Sequence, residues 1–355
     1  MSGAARMPDD GGLAYPFGGA EPATGAVMAV APGVRWVRLA IPGPLRHVNC
    51  YLVEDEDPRG RGVALVDAGM NRPETREAWK AVFRGPLSGT RVTRMIGTHM
   101  HPDHIGLAGW MCAHHAAPLL MTRAEWLTMR MVVLDARDAV PDGVVAHWRG
   151  AGWSDEQIAA VSARGWSGFR RIVTPVPHGY VRLRDGEMLR LGRSDWRVVT
   201  GSGHSPEHAC LLDEANGLFL CGDQVLPRIS PNISVGANEP GADPLGDWFA
   251  SIAKLRALPA GLVCLPGHGD PFTGLHARLE AMAGEHRERL DALEALLHQA
   301  PRRAVDCFAT LFRRTIGEDM LGMATGEALA HLRRLEVEAR AVRHERDGTW
   351  WFTAR

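Results

Sequence analysis

An excess of charge, long apolar runs and paired cysteines are all missing from this chain of 355 residues. With 40 basic and 41 acidic side chains, the formal net charge is -1. No overall field therefore draws the protein to nucleic acid or to an acidic membrane surface. No apolar stretch approaches the roughly 20 residues of a membrane span, so no membrane partner is expected. Asp9 and Asp10 stand where a secretion signal needs apolar residues. The six cysteines (Cys50, Cys112, Cys210, Cys221, Cys264 and Cys307) form no C-x-x-C pair. Scattered buried thiols in a reducing, cytoplasmic compartment are the expectation, not a disulfide framework. Lysine is reduced to Lys80 and Lys254, an imbalance that carries no functional reading.

What remains is an ordinary globular composition, 45% hydrophobic and 23% charged, in a chain long enough for a large domain and a small appendage. Residues 1–32, rich in Gly, Ala and Pro, read as a flexible N-terminal tail. Short apolar or alternating runs at 34–41, 49–53, 63–66 and 92–97 predict strands, and 73–83 and 105–115 predict helices. The stretch at about 123–172 turns helical and interrupts a strand-rich layout. It reads as an insertion over the site, with Trp126, Trp148, Trp153 and Trp166 as a small core of its own. Strands return within 181–199, 209–212, 217–220 and 262–265, with helices at 245–258 and 275–299. Residues 286–355 predict two helices and a hairpin turning at Asp347-Gly348, the order of a winged helix. Their 12 arginines against 11 aspartates and glutamates leave no basic face, which favours packing or a homodimer over DNA binding.

The chemistry gathers at strand ends. Residues 98–106 read T-H-M-H-P-D-H-I-G, with His99, His101, Asp103 and His104 inside six positions. Three imidazoles and a carboxylate this close are costly to pack unless a divalent cation neutralises and orients them. His99 and His101, two apart, can converge on one ion from an extended segment. Asp103 and His104 follow a turn that Pro102 helps set, an arrangement that suits two adjacent ions better than one. His204, Asp223 and His268 each follow a further apolar strand with glycine beside them, which lets backbone and ligand approach closely. Strand ends of this kind are where α/β proteins commonly place their chemistry.

In this order, H-x-H-x-D-H, G-H-S, G-D and G-H resemble the metallo-β-lactamase superfamily over roughly residues 34–290. The resemblance implies an α/β fold, the metallo-β-lactamase αββα sandwich, over residues 33–285. A small C-terminal winged-helix-like domain follows over 286–355. It also implies that His99, His101 and His204 hold one divalent ion and that Asp103, His104 and His268 hold a second, with Asp223 bridging. Nitrogen and oxygen donors without a thiolate suit Zn(II), and also Fe or Mn. The implied reaction is attack of a hydroxide held between two ions on a carbonyl or phosphoryl centre, with Asp103 orienting it and carrying a proton. Asp67, in L-V-D-A-G, resembles the family's carboxylate that steadies a ligating histidine. His208, Arg228, Asn232 and Ser234 are candidate substrate contacts, whereas His114 and His115 are assigned to solvent and Cys221 to the core.

The superfamily holds thioesterases, lactonases, β-lactamases, ribonucleases, phosphodiesterases and redox di-iron proteins, so the fold alone does not choose among them. β-Lactamases with a cysteine ligand are poor models, since no cysteine occupies a ligand position. A nuclease-type insertion, a basic channel and a flavin domain are not seen. The expectation is a metal-dependent hydrolase of a small acyl thioester or ester; the alternative is a metal-dependent endoribonuclease or phosphodiesterase. A winged-helix nucleic-acid-binding regulator with structural metals ranks last, because structural zinc sites are usually closed by four protein ligands. The expected partner is a small-molecule substrate, and nucleic acid is not favoured.

Overall fold

A computed structural model describes residues 11–166 and 168–355. The first sheet runs β1 (Met28–Ala31), β2 (Val34–Ala40), β3 (His47–Asp57), β4 (Gly60–Val66), β5 (Val92–Ile96), β6 (Leu119–Met121) and β7 (Val181–Arg182), neighbours in that order. β1 to β4 form an antiparallel meander, and β4 to β7 pair in parallel. The second sheet holds β8 (Met188–Leu191), β9 (Ser194–Gly201), β10 (His208–Asp213), β11 (Leu218–Gly222) and β12 (Val263–Pro266), in the order β12-β11-β10-β9-β8. All its pairs are antiparallel except β11 with β12.

The two-residue period of the strands sorts side chains into layers. Ala209 and Leu211 of β10 face the first sheet, where they join Trp36, Tyr51, Val66 and Ile96 in the core between the sheets. Cys210 and Leu212 of the same strand face outward, onto the helices Pro244–Leu255 and Leu275–Gln299. On the far side, Leu39, Leu52, Leu65 and Met95 pack against Trp79 and Val82 of the helix Pro73–Arg84. The result is helix, sheet, sheet, helix, the αββα sandwich. All six cysteines are free and buried. Among the described residues, no helix is long and apolar enough to cross a membrane.

Three of the expected segments are seen in more detail. Residues 1–10 of the expected tail lie outside the described residues. Residues 11–32 are built into the fold, because Ala14 bridges Thr273 and β1 extends the first sheet. The helix Leu275–Gln299 runs unbroken through position 286, burying Leu279 and Met282 before it and Leu290, Leu293 and Leu297 after it. The tryptophans of the insertion do not form a core of their own. Trp148 stacks on Trp153, whose indole N–H donates to Thr325 Oγ1 at 2.8 Å on the helix Leu321–Val337. Gly150 leaves room for the Trp350 ring, which a Cβ would meet at 2.5 Å. Trp350 lies on the C-terminal hairpin β13 (Ala341–Arg346) and β14 (Thr349–Ala354), so the insertion is fastened to the C-terminal unit.

Candidate metal centre

Four strands deliver the polar residues to one edge of the sandwich: β5 leads to His99, β9 to His204, β11 to Asp223 and β12 to His268. A first set closes where His99 Nε2 lies 3.0 Å from His101 Nδ1, His101 Nδ1 lies 3.0 Å from His204 Nε2, and His204 Nε2 lies 3.3 Å from His99 Nε2. Hydrogen bonds behind the rings determine which nitrogens carry protons. His204 Nδ1 donates to the Asn232 carbonyl at 2.8 Å, so its Nε2 presents a lone pair. Thr98 Oγ1 donates to Asp67 Oδ2 at 2.8 Å and is left to accept from His99 Nδ1 at 2.9 Å, so His99 Nε2 also presents a lone pair.

Protonation agrees with this. Burial, reinforced by His104, holds His99 well below the usual imidazole range. Burial and His204 bring His101 to about 3, and burial lowers His204. These are neutral rings with converging lone pairs, which repel one another unless a cation sits among them. A tetrahedral ion with metal–nitrogen bonds of about 2.0–2.1 Å keeps its ligands about 3.3 Å apart, close to the observed triangle.

The second set is Asp103, His104 and His268. His104 Nδ1 donates to Asp67 Oδ2 at 2.7 Å and His268 Nδ1 donates to the His47 carbonyl at 2.6 Å, so both Nε2 atoms turn inward. His268 Nε2 lies 3.2 Å from Asp103 Oδ2. Asp223 joins the two sets: its Oδ2 is 3.3 Å from His268 Nε2, 3.4 Å from His104 Nε2 and 3.6 Å from His204 Nε2. Its Oδ1 is buried without a hydrogen-bond partner, an orphan that a cation would satisfy. Burial works to raise Asp103 and Asp223, but facing imidazoles bring Asp103 to about 2 and hold Asp223 well below the usual carboxylate range. Burial likewise opposes charge on His104 and His268, yet Asp223 above all holds His104 high and brings His268 to about 10. The carboxylates here attract positive charge, and the donor set fits a divalent cation.

The surrounding residues hold this geometry. Asp67, in a left-handed backbone conformation (φ 60°) that costs a non-glycine residue energy, accepts from Thr98 N at 2.9 Å as well as from Thr98 Oγ1 and His104. One carboxylate thereby positions a ligand of each set. Gly267 is required by space, because a Cβ there would stand 2.2 Å from Asp223 Oδ1.

The candidate substrate contacts have the following partners within the chain. His208 is wholly buried, stacks on His99 and accepts from Asp223 N at 3.1 Å, so it supports the site from beneath. Asn232 serves His204 through its carbonyl, while its side-chain amide donates to Glu327 Oε2 at 2.9 Å and Ser234 Oγ donates to Asn232 Oδ1 at 2.6 Å. Arg228 lies over the Tyr15 ring at 5.0 Å. His114 is exposed, and His115 is half-buried against Phe83.

Glu125 is a site residue the sequence reading missed. It is fully buried and accepts from Met100 N at 2.8 Å, Ser205 Oγ at 2.6 Å and Glu207 N at 2.7 Å. It thus ties the loop of His99 and His101 to the loop of His204. Burial pushes its carboxyl up to about 7, against the Ser205, Glu207 and Met100 donors. Since this value lies above the ordinary 4.5, the group's stabilising contribution is complete below about pH 4.5 and is lost as pH rises through about 7. The span corresponds to about 3 kcal/mol. In denaturant melts of metal-free protein between pH 4.5 and 7.5, the wild type is expected to lose about 3 kcal/mol relative to Glu125→Gln. Parallel pH curves would contradict that.

Comparison with known proteins agrees with this geometry. Residues 43–268 match the family model of the metallo-β-lactamase superfamily, and residues 290–355 match that of the metallo-β-lactamase-like C-terminal domain. A probable metallo-hydrolase of Bacillus subtilis is 26% identical over 327 residues, spanning 89% of this chain and 96% of that protein. An atrochrysone carboxyl ACP thioesterase of Aspergillus fumigatus is 24% identical over 265 residues, 73% of this chain and 47% of that protein. The crystal structure of a β-lactamase domain protein from Burkholderia ambifaria superposes with a TM-score of 0.90 at 35% identity, covering 98% of this chain and 99% of that one. The chain belongs to the metallo-β-lactamase superfamily, as a hydrolase whose clustered histidines and aspartates are candidate ligands for divalent metals.

Proposed function

We propose that the protein holds two divalent ions, Zn(II) in preference to Fe or Mn, and hydrolyses an acyl thioester or ester. The observation that carries the reading is the meeting of two donor sets at Asp223 Oδ2 with no thiolate among them. Bound there, the ions would supply Lewis acidity and a water acidified toward neutral pH. His99, His101 and His204 would hold one ion, Asp103, His104 and His268 the other, and Asp223 both. Asp103, 3.2 Å from His268 Nε2, would orient the water and carry its proton. In the net reaction the water oxygen bonds to the acyl carbon, the C–S or C–O bond breaks, and the thiol or alcohol leaves with a proton. The acyl reading is supported by the thioesterase description of the Aspergillus fumigatus relative and by the near-balance of charge in residues 286–355.

Elemental analysis is expected to find about two zinc ions per chain, with turnover of an acyl-CoA and acylglutathione panel that chelation removes and zinc restores. Zinc at a thousandfold excess over its Kd is expected to raise the unfolding temperature of metal-free protein by on the order of 5–10 °C. Metal-dependent cleavage of single-stranded RNA with every thioester untouched would replace this reading by that of a ribonuclease.

A further inference from the structure

A cavity of about 820 Å³ opens beside the first donor set, between the insertion, the loop at 235–238 and the helix Leu321–Val337. Its walls connect to the candidate ligands from two directions. Met100, which separates His99 from His101, is part of its lining. The loop at 235–238 follows closely on Asn232, whose carbonyl accepts from His204. The helix Arg123–Leu134 spans both regions: Glu125 holds Met100, and Thr128 and Met131 one and two turns further on line the cavity. Most of the lining is apolar, with Val132, Val144, Trp148 and Phe169 from the insertion and Val235 opposite them. Three arginines, Arg137, Arg164 and Arg171, also border it, against one acid, Asp135. Arg137 pairs with Asp135, Arg164 stands 4.0 Å from Glu318, and Arg171 has no acidic partner among the described residues.

We infer that this cavity receives the acyl group of the substrate and that the group is bulky and apolar. The inference rests on the proposed thioester hydrolysis and names its substrate class. A volume of this size suits a drug-sized apolar group, such as a chain of eight or more carbons or fused aromatic rings. An acetyl or lactoyl group would leave most of it unfilled, so the small acyl group expected from sequence gives way to a large one. Met131, 46% exposed, is apolar surface that a long acyl group would cover.

The test uses zinc-loaded, full-length protein with CoA thioesters from acetyl to hexadecanoyl. Burial of one methylene corresponds to roughly a fourfold gain. kcat/KM is therefore expected to rise at least 100-fold from acetyl to dodecanoyl. Gly143 and Gly322 both line the cavity, and a Cβ at either meets nothing within 4 Å, so a tryptophan can be accommodated. Gly143→Trp and Gly322→Trp are expected to reduce the dodecanoyl-to-acetyl ratio at least tenfold. Dodecanoic acid binding to metal-free protein, measured by calorimetry and reduced by Gly143→Trp, reads the cavity without turnover. Thioester turnover with no chain-length preference and no dodecanoate binding would overturn the inference and leave the proposed function standing. Dodecanoate binding without turnover of any thioester would leave the cavity an acyl site and overturn the proposed function instead.

Discussion

Asp223→Asn is expected to lower hydrolysis by about 10³-fold while leaving circular dichroism unchanged. Asp223 Oδ2 faces the inward nitrogens of His104, His204 and His268, three rings drawn from both donor sets. Asparagine keeps the shape but withdraws the negative charge, and its amide either presents a weaker oxygen or aims N–H donors where a cation would sit. Metal assistance is worth several kcal/mol of charge stabilisation in the transition state, and each 1.36 kcal/mol is a factor of ten in rate. The metal content should fall with the rate, from about two ions per chain toward one. A variant that retains both ions and stays within tenfold of the parent in kcat/KM would show that Asp223 does not join the two sets.

The residues that meet at this site were legible because each is polar, stands at the end of an apolar strand and has glycine nearby. β5, β11 and β12 end within a few residues of His99, Asp223 and His268, as their hydrophobic runs suggest. The groups that position them were much less legible. The carbonyls of Asn232 and His47 orient His204 and His268, and a backbone carbonyl leaves no mark on residue type. Glu125 sits in the first turn of the helix Arg123–Leu134, where an acidic residue is commonplace because it favours the helix dipole. Its burial depends on donors from Met100, Ser205 and Glu207, the last two about 80 residues away, a pairing only the fold creates. His208 follows a ligand loop and so looked available to substrate, yet it is the first residue of β10 and its ring is enclosed beneath Asp223. The cavity was illegible for the same reason: its walls come from four separated stretches, none of which reads as a pocket alone.

Deleting residues 300–355 is expected to leave a chain that does not fold cooperatively. The core outside the second sheet is a single cluster running from Val199, Cys210 and Phe219, through Trp248, Leu279 and Leu293, to Leu329, Leu335 and Phe352. The deletion removes the buried side chains of Leu311, Leu321, Leu329, Leu332, Leu335 and Phe352. Each such side chain contributes roughly 1.5–3 kcal/mol, so six match the whole stability of about 5–15 kcal/mol typical of a domain. The apolar face left on the helix Leu275–Gln299 would be open to water. Polar ties go too. Ser230 Oγ donates to His286 Nε2 at 2.6 Å, His286 Nδ1 donates to His331 Nε2 at 3.0 Å, and His331 Nδ1 donates to the Glu327 carbonyl at 2.8 Å. With Val235 N donating to the Gly326 carbonyl at 3.0 Å, this chain of bonds clamps the loop whose Asn232 carbonyl orients His204. The full-length protein should therefore unfold in one calorimetric transition. The truncated chain should bind a hydrophobic dye and fail to retain metal. If it melted cooperatively within a few degrees of the parent with two ions bound, the C-terminal unit would be an appendage after all.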